Sequence, residues 1–387
     1  MDQRTIPMLF ALLRSAVRGT TLTDEQKSSF SVDLLRELMK ISAKHDIVHL
    51  ISFSLKQNNL IPQGNDDVEK FLFQAVYRYE KLNYEYKKLC TALEEAKIPF
   101  IPLKGSVIRQ YYPQEWMRTS CDIDILVHRE NLDMAVACLS KNLQYTEKGR
   151  GTHDISLFSS TGVHVELHFD LVEEGRANSA INILRSVWEN VSLRKKSEYW
   201  YEMSDAFFYF YHIAHMAKHF ESGGCGIRPF IDLWILDNIK NANVSNRNKL
   251  LAQGGLLKFA EASRTLSRVW LDGEKQTEFS LQMQRFLLHG GVYGSADNRV
   301  ALQQKKNGGQ VGYLLSRIFI SYEKLKRYYP ILEKHCWLTP VMQIRRWFML
   351  LNPAVARMAK KELSVNANLK ESKAEKMNKF LSDIGLI

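Results

Sequence analysis

The run SCDIDILVHRE, Ser120 to Glu130, constrains the chain more than any other stretch. Ile123, Ile125, Leu126 and Val127 give it the β-branched, apolar character of a buried strand, yet it carries Asp122 and Asp124. Side chains at i and i+2 of a strand share a face. The two carboxylates therefore project together, with Ile123 and Ile125 on the opposite side. Two like charges so placed raise each other's energy unless a cation lies between them. Oxygen donors in this arrangement suit Mg²⁺ or Mn²⁺, which keep coordination positions open for phosphate oxygens. The alternative is a strand end that runs into water with both aspartates solvated.

Two neighbouring stretches bear on that choice. Upstream, IPFIPL is short, apolar and Pro-containing, as an edge strand is. It leads into Lys104-Gly105-Ser106, which reads as a turn, followed by a short helix over VIRQYY. A Gly-Ser turn ahead of a helix offers backbone N–H groups and a hydroxyl to an anion. Gly105 permits close backbone approach, and Lys104 adds a point charge. Downstream, DISLFSS and VHVELHFDL read as a hairpin turning at Thr161-Gly162. His164, Glu166 and His168 share one face of its second strand. Glu166 would be a third carboxylate, able to complete a metal triad and to take a proton from an attacking hydroxyl.

In this order, a Gly-Ser turn, Asp-x-Asp and a single later carboxylate, the chain resembles the polymerase-beta-like nucleotidyltransferase superfamily. More closely, IPLKGSVIRQYYPQEWMRTSCDIDILV followed by VHVELHF is similar to a bacterial family of uncharacterised nucleotidyltransferases. The residues that carry the likeness are Leu103-Lys104-Gly105, Arg118, Asp122-Ile123-Asp124, and Glu166 with His168. It covers Ile98 to Leu171, and the helical block YFYHIAHMAKHFESGGCGIRPFIDLWIL looks like the family's second half.

The resemblance implies two-metal nucleotidyl transfer from a nucleoside triphosphate such as ATP, with Mg²⁺ or Mn²⁺. Asp122 and Asp124 would hold the metal that grips the triphosphate, and Glu166 would share the catalytic metal. Lys104, Gly105, Ser106, Arg118 and His168 would contact the nucleotide. The acceptor, whether RNA, protein or small molecule, stays open, as does a catalytically inactive binding protein on the same fold. For Arg118 an ion pair with Asp122 or Asp124 is the competing reading, and for Arg109 a plain surface charge.

The rest of the chain is helical in pattern. In DDVEKFLFQAVYRYEKLNYEYKKLCTALEEAK, Leu72, Val76, Tyr79, Leu82, Tyr86, Leu89 and Leu93 form one stripe. From Ala177 onward the chain returns to helix, with SADNRVALQQKKNGGQ read as a mobile loop or insertion. The fold expected is α+β, a small mixed-sheet nucleotidyltransferase module at 98–175. N-terminal helices (1–97) and a larger C-terminal helical domain (176–387) flank it, with the nucleotide cleft at their junction. His212, His215 and His219 share a helical face as pocket wall, packing histidines or zinc ligands. The turn SGGCG could bring Arg228 to the phosphates. EKLKRYYPILEKHCWLTPVMQIRRWFMLL reads as a solvated helix with an apolar underside. Contact with nucleic acid or an anionic membrane is the alternative.

Composition narrows the setting. A net charge of +11 favours anionic partners without choosing among them. Five dispersed cysteines fit free thiols in a reducing cytoplasm. No apolar run approaches the roughly 18 residues a membrane span needs. The N-terminus, with Arg14 inside its apolar part, reads as a first helix rather than a signal peptide.

Overall fold

The computed structural model describes residues 3–61, 66–172, 179–369 and 371–386. The fold is α+β. Its centre is a five-stranded mixed sheet made of β1 (Phe100–Pro102), β2 (Asp122–Val127), β3 (Thr146–Arg150), β4 (Asp154–Phe158) and β5 (His164–His168), in the order β1-β2-β5-β4-β3. β2 and β5 pair in parallel and the other neighbours are antiparallel. β1 is an edge strand, which accommodates its proline. One face of the sheet is apolar: Ile123, Ile125, Val127, Ile155, Leu157, Val165 and Leu167 are buried in one cluster with Leu82, Leu89 and Leu93 of the helix Asp67–Glu95 and Leu139 of the helix Leu132–Leu143. The period-2 alternation leaves Asp122, Asp124, His164, Glu166 and His168 for the other face.

The chain forms two compact units: Met1–Met216 with Ile227–Gln284, and Ala217–Gly226 with Arg285–Ile387. The segments 1–97 and 98–175 both fall in the first. In that unit the helices Thr5–Arg18, Val32–Lys44 and Val48–Gln57 precede the sheet, and Arg228–Asp237, Val244–Gln253 and Leu257–Leu271 follow it. The second unit holds the helices Ala296–Lys306, Gly309–Ile318, Thr339–Trp347 and Pro353–Asn368, with small cores around Val300, Ala301 and Tyr313 and around Leu325, Leu332 and Met342. Among the described residues no helix is long and apolar enough to cross a membrane.

Several local expectations are corrected. The helix after β1 spans Lys104–Ile108, so Lys104-Gly105-Ser106 is its first turn rather than a loop before it, and Arg109–Tyr111 is a 3₁₀ turn. The segment read as a mobile loop contains the helix Ala296–Lys306. Ser295 caps it by accepting from the Asn298 amide, and Val300 and Ala301 are buried. The chain from Ala177 is not purely helical, because β6 (Val191–Leu193) and β7 (Tyr201–Met203) form a small hairpin sheet. β3 is exposed along its whole length, so its sequence TEKGR has no apolar alternation to reveal it. In the long helix Asp67–Glu95 the C-terminal half follows the expected stripe, whereas Val76 faces solvent.

The N-terminal helices bury two histidines. Both ring nitrogens of His45 are buried without a hydrogen-bond partner, and His49 Nε2 lies 2.8 Å from the Met117 carbonyl oxygen. Burial, chiefly, lowers both from 6.5 to about 4. The unfolded chain therefore binds more protons between these values, and stability falls as pH falls. Each histidine contributes a slope of about 1.4 kcal/mol per pH unit across that window. Urea unfolding midpoints measured through it are expected to drop for the wild type and to drop less steeply for His45→Leu. Equal slopes would refute the assignment to His45.

Candidate active site

The parallel register of β2 and β5 builds the site. Asp122 lies opposite His164, Asp124 opposite Glu166, and Leu126 opposite His168. Two overlapping donor sets result, Asp122–His164–Glu166 and Asp124–Glu166–His168. In each, one ligand atom per residue lies within 4.8 Å of the others. Glu166 belongs to both. Carboxylates with one imidazole per set are a donor chemistry that fits Mg²⁺ or, with the imidazole, Mn²⁺.

The two aspartates differ sharply in environment. Asp124 is buried, and its Oδ1 accepts from Lys104 Nζ at 2.8 Å and from His168 Nε2 at 2.9 Å. Burial alone would raise its pKa, but Lys104 and His168 hold it well below the usual carboxylate range. Asp122 has no such partner. Burial, then the charges of Asp124 and Glu166, push it up. The His168 ring lies 3.4 Å from Glu166 Oε2 as well. Its burial works against protonation, yet the bonds to Asp124 and Glu166 prevail and its pKa moves up.

Lys104 is held in place by the backbone. The Leu103 amide donates to the Asp124 carbonyl at 3.0 Å, which fixes the end of β1 beside β2. The next residue, Lys104, takes φ +43°, a left-handed conformation that costs a non-glycine residue about 1–2 kcal/mol. That turn directs its ammonium back to Asp124. Burial would lower the Lys104 pKa, but Tyr211 and Asp124 raise it on balance. Tyr211, in the helix Asp205–Glu221, is buried beside this group; desolvation first, with the carboxylates Asp124, Glu166 and Asp122, moves its phenol up against the pull of Lys104. Nothing in the spacing of YFYHIAH distinguishes Tyr211 from its aromatic neighbours.

The remaining candidates are placed differently from expectation. A Cβ on Gly105 would collide with Ser120 Oγ, so its close approach is to the chain leading into β2. The Ser106 amide donates to the Leu103 carbonyl inside the turn. Arg118 pairs with neither Asp122 nor Asp124. Its Nε reaches both Asp232 oxygens, at 2.7 and 3.0 Å, and an Nη1 donates to the Thr119 carbonyl. Tyr112 donates to the same Asp232 at 2.6 Å. A lone carboxylate in the apolar helix IRPFIDLWIL was the available signal, because a buried charge needs a partner. Arg228 bonds Asp46 at 2.6 Å and the Thr119 carbonyl at 3.2 Å. Arg109 is buried, donating to the Gly105 carbonyl and lying over the Tyr79 ring, so it is not a surface charge. His164 is bonded to Ser156 Oγ at 2.6 Å and stacked on Phe158. His212 donates to the Pro229 carbonyl, and among the described residues no metal-competent group includes His212, His215 or His219.

A family model described as "Uncharacterised nucleotidyltransferase" matches residues 34–272. The chain belongs to that family. The match spans the sheet, the donor sets and the Arg118–Asp232 pair. It makes nucleotidyl transfer the reaction class and a nucleotide the substrate class of this family member. The comparison with curated proteins and that with solved structures return no match.

Proposed function

We propose that this family member is a polymerase-beta-like bacterial enzyme of the cytoplasm that moves a nucleoside monophosphate from a triphosphate, ATP among the candidates, to a hydroxyl-bearing acceptor. The observation that carries this reading is the pairing of Asp124 with Glu166 across parallel strands, with Asp122 one step away on the same face. Asp122, Asp124 and Glu166 would hold Mg²⁺ or Mn²⁺. When bound, such cations stabilise negative charge on the transferring phosphoryl oxygens. The acceptor oxygen attacks the α-phosphorus, the bond to the β-phosphate breaks, pyrophosphate leaves, and Glu166 accepts the hydroxyl proton. His168 orients Asp124, and the Arg118–Asp232 pair fixes the approach to β2, making Arg118 a positioning residue. Gly105 and Ser106 shape the turn that carries Lys104 to the triphosphate.

Lys104 has two stations in this scheme. Without ligand its ammonium neutralises Asp124; with a metal–triphosphate complex it turns to the phosphates. Lys104→Met is therefore expected to bind triphosphate about tenfold more weakly and free Mn²⁺ about tenfold more tightly, each a change near 1.4 kcal/mol. Calorimetric titration with Mn²⁺ and with a non-hydrolysable triphosphate measures both. Unchanged Mn²⁺ affinity would show that the ammonium does not occupy a cation's place.

A second reading, a non-catalytic binding protein, is favoured by one observation: Lys104 and His168 already satisfy Asp124. Incubating the protein with each α-labelled triphosphate, Mg²⁺ and a total cell extract separates the two. Label in RNA, protein or a small molecule names the acceptor class; no incorporation with any triphosphate favours the binding protein.

A further inference from the structure

The second unit turns an apolar stripe outward. Trp337, Val341, Ile344, Phe348 and Leu351 recur at spacings of four, three, four and three along the helix Thr339–Trp347 and its flanking 3₁₀ turns. That repeat places them on one helical face. All five are 50–78% exposed, while Met342 and Gln343 are the buried side. This reverses the expected apolar underside. The helix Gly309–Ile318 does the same, with Val311, Leu315 and Ile318 exposed and Tyr313 buried. The two stripes meet: Trp347 Nε1 donates to the Ile318 carbonyl at 2.9 Å, Arg346 donates to the Arg317 and Ile318 carbonyls, and the Phe319 and Trp347 rings make an edge contact at 5.6 Å. Met349 and Leu350 extend the patch. A contiguous apolar area of this kind is unusual on a protein that meets only water.

The charge around it selects the occupant. Residues 309–369 contain ten Lys and Arg against three Asp and Glu. Lys324, Lys334, Arg345, Lys360 and Lys361 are exposed. A second copy of the chain would bring two basic fringes together, which like-charge repulsion disfavours. A nucleic acid would match the charge and could stack on Trp337 or Phe348, but it gives Val341, Ile344, Leu350 and Leu351 nothing apolar to enter. An anionic lipid surface satisfies both requirements, with headgroups for the basic fringe and an acyl boundary for the aliphatic and aromatic stripe.

We infer that the Trp337–Leu351 face, with the exposed stripe of Gly309–Ile318, docks this protein on an anionic membrane surface. The inference rests on the second unit alone and is independent of the chemistry proposed above. The test is co-sedimentation of the full chain with vesicles of phosphatidylcholine, with and without phosphatidylglycerol. Wild type is expected to pellet with the anionic vesicles, weakly with neutral ones, and less as NaCl is raised. The double variant Phe348→Ser with Leu351→Ser removes two exposed side chains, so melting should stay at the wild-type temperature, and partitioning should weaken at least about thirtyfold. Arg345→Glu should weaken binding to anionic vesicles only. Failure of the wild type to pellet with anionic vesicles, or pelleting that ignores both salt and the variants, overturns the inference. So does a concentration-dependent dimer, or RNA binding without vesicle binding, that the double variant abolishes.

Discussion

Asp122→Asn and Asp124→Asn are expected to abolish transfer alike and to part company in stability. Each replacement keeps the side-chain shape and removes a negative charge from the donor sets. Loss of transfer should reach about a hundredfold to a thousandfold, the scale seen when an electrostatic group acting on developing charge is removed. Stability separates the pair because their surroundings do. At Asp122 burial and the charges of Asp124 and Glu166 outweigh the pull of Lys104 and His164, so neutralising it relieves repulsion and should leave the ligand-free melting temperature unchanged or raised. Asp124 is the shared acceptor of Lys104 and His168. Neutralising it leaves two donors facing an amide, at a cost of about 2–3 kcal/mol. That is below the 3–5 kcal/mol of a fully buried broken pair, because Lys104 retains some contact with water. Added Mn²⁺ with triphosphate should raise the wild-type melting temperature by mass action and raise neither variant's to the same extent. A melting series with and without ligand tests this. Equal ligand-induced shifts in wild type and Asp124→Asn would make the pair structural and favour the binding-protein reading.

The sequence alone carries the sheet face but not the partners on it. Strand alternation is local, so Ile123 and Ile125 against Asp122 and Asp124 could be read directly, as could His164, Glu166 and His168. Which strands meet is not local, and the parallel register that sets Asp124 beside Glu166 comes from the tertiary fold. Ion pairs are less legible still. Arg118 finds Asp232 across 114 residues and Arg228 finds Asp46 across 182. Both had nearer anionic destinations on paper, the aspartates of β2 and the nucleotide phosphates. For Arg118 the desolvation cost of a buried guanidinium decides otherwise, because it demands a carboxylate already inside the fold, whereas the Arg228–Asp46 pair is only partly buried. Lys104 shows a third limit: its reach to Asp124 depends on a positive φ that no residue other than glycine advertises in sequence. In the second unit, periodicity reveals that Val341, Ile344 and Phe348 form a stripe and is silent on whether the stripe faces in or out.

Breaking the Arg118–Asp232 pair should be the most damaging single change to the folded state. Arg118 and Asp232 are both buried, and Tyr112 shares the same carboxylate. Asp232→Leu strands a guanidinium inside the protein and a phenol without its acceptor, at about 3–5 kcal/mol. Arg118→Met strands a carboxylate instead, at a similar cost. The double variant Arg118→Met with Asp232→Leu removes both charges, and its loss should fall well short of the sum of the singles, as for other buried pairs replaced by apolar groups. The pH dependence follows from the same pair. Burial would raise the Asp232 carboxyl, but the Arg118 guanidinium and the hydrogen bonds from Arg118 and Tyr112 hold it below its ordinary value. The folded chain thus binds fewer protons than the unfolded one there, so this stabilisation is present above about pH 4 and is lost as pH falls below it. Urea denaturation of the four proteins at neutral and acid pH measures every term. Additive losses in the double variant would mean that the two side chains do not act on each other. In that event Arg118 would be left available to the nucleotide, and its role as a positioning residue would have to be given up.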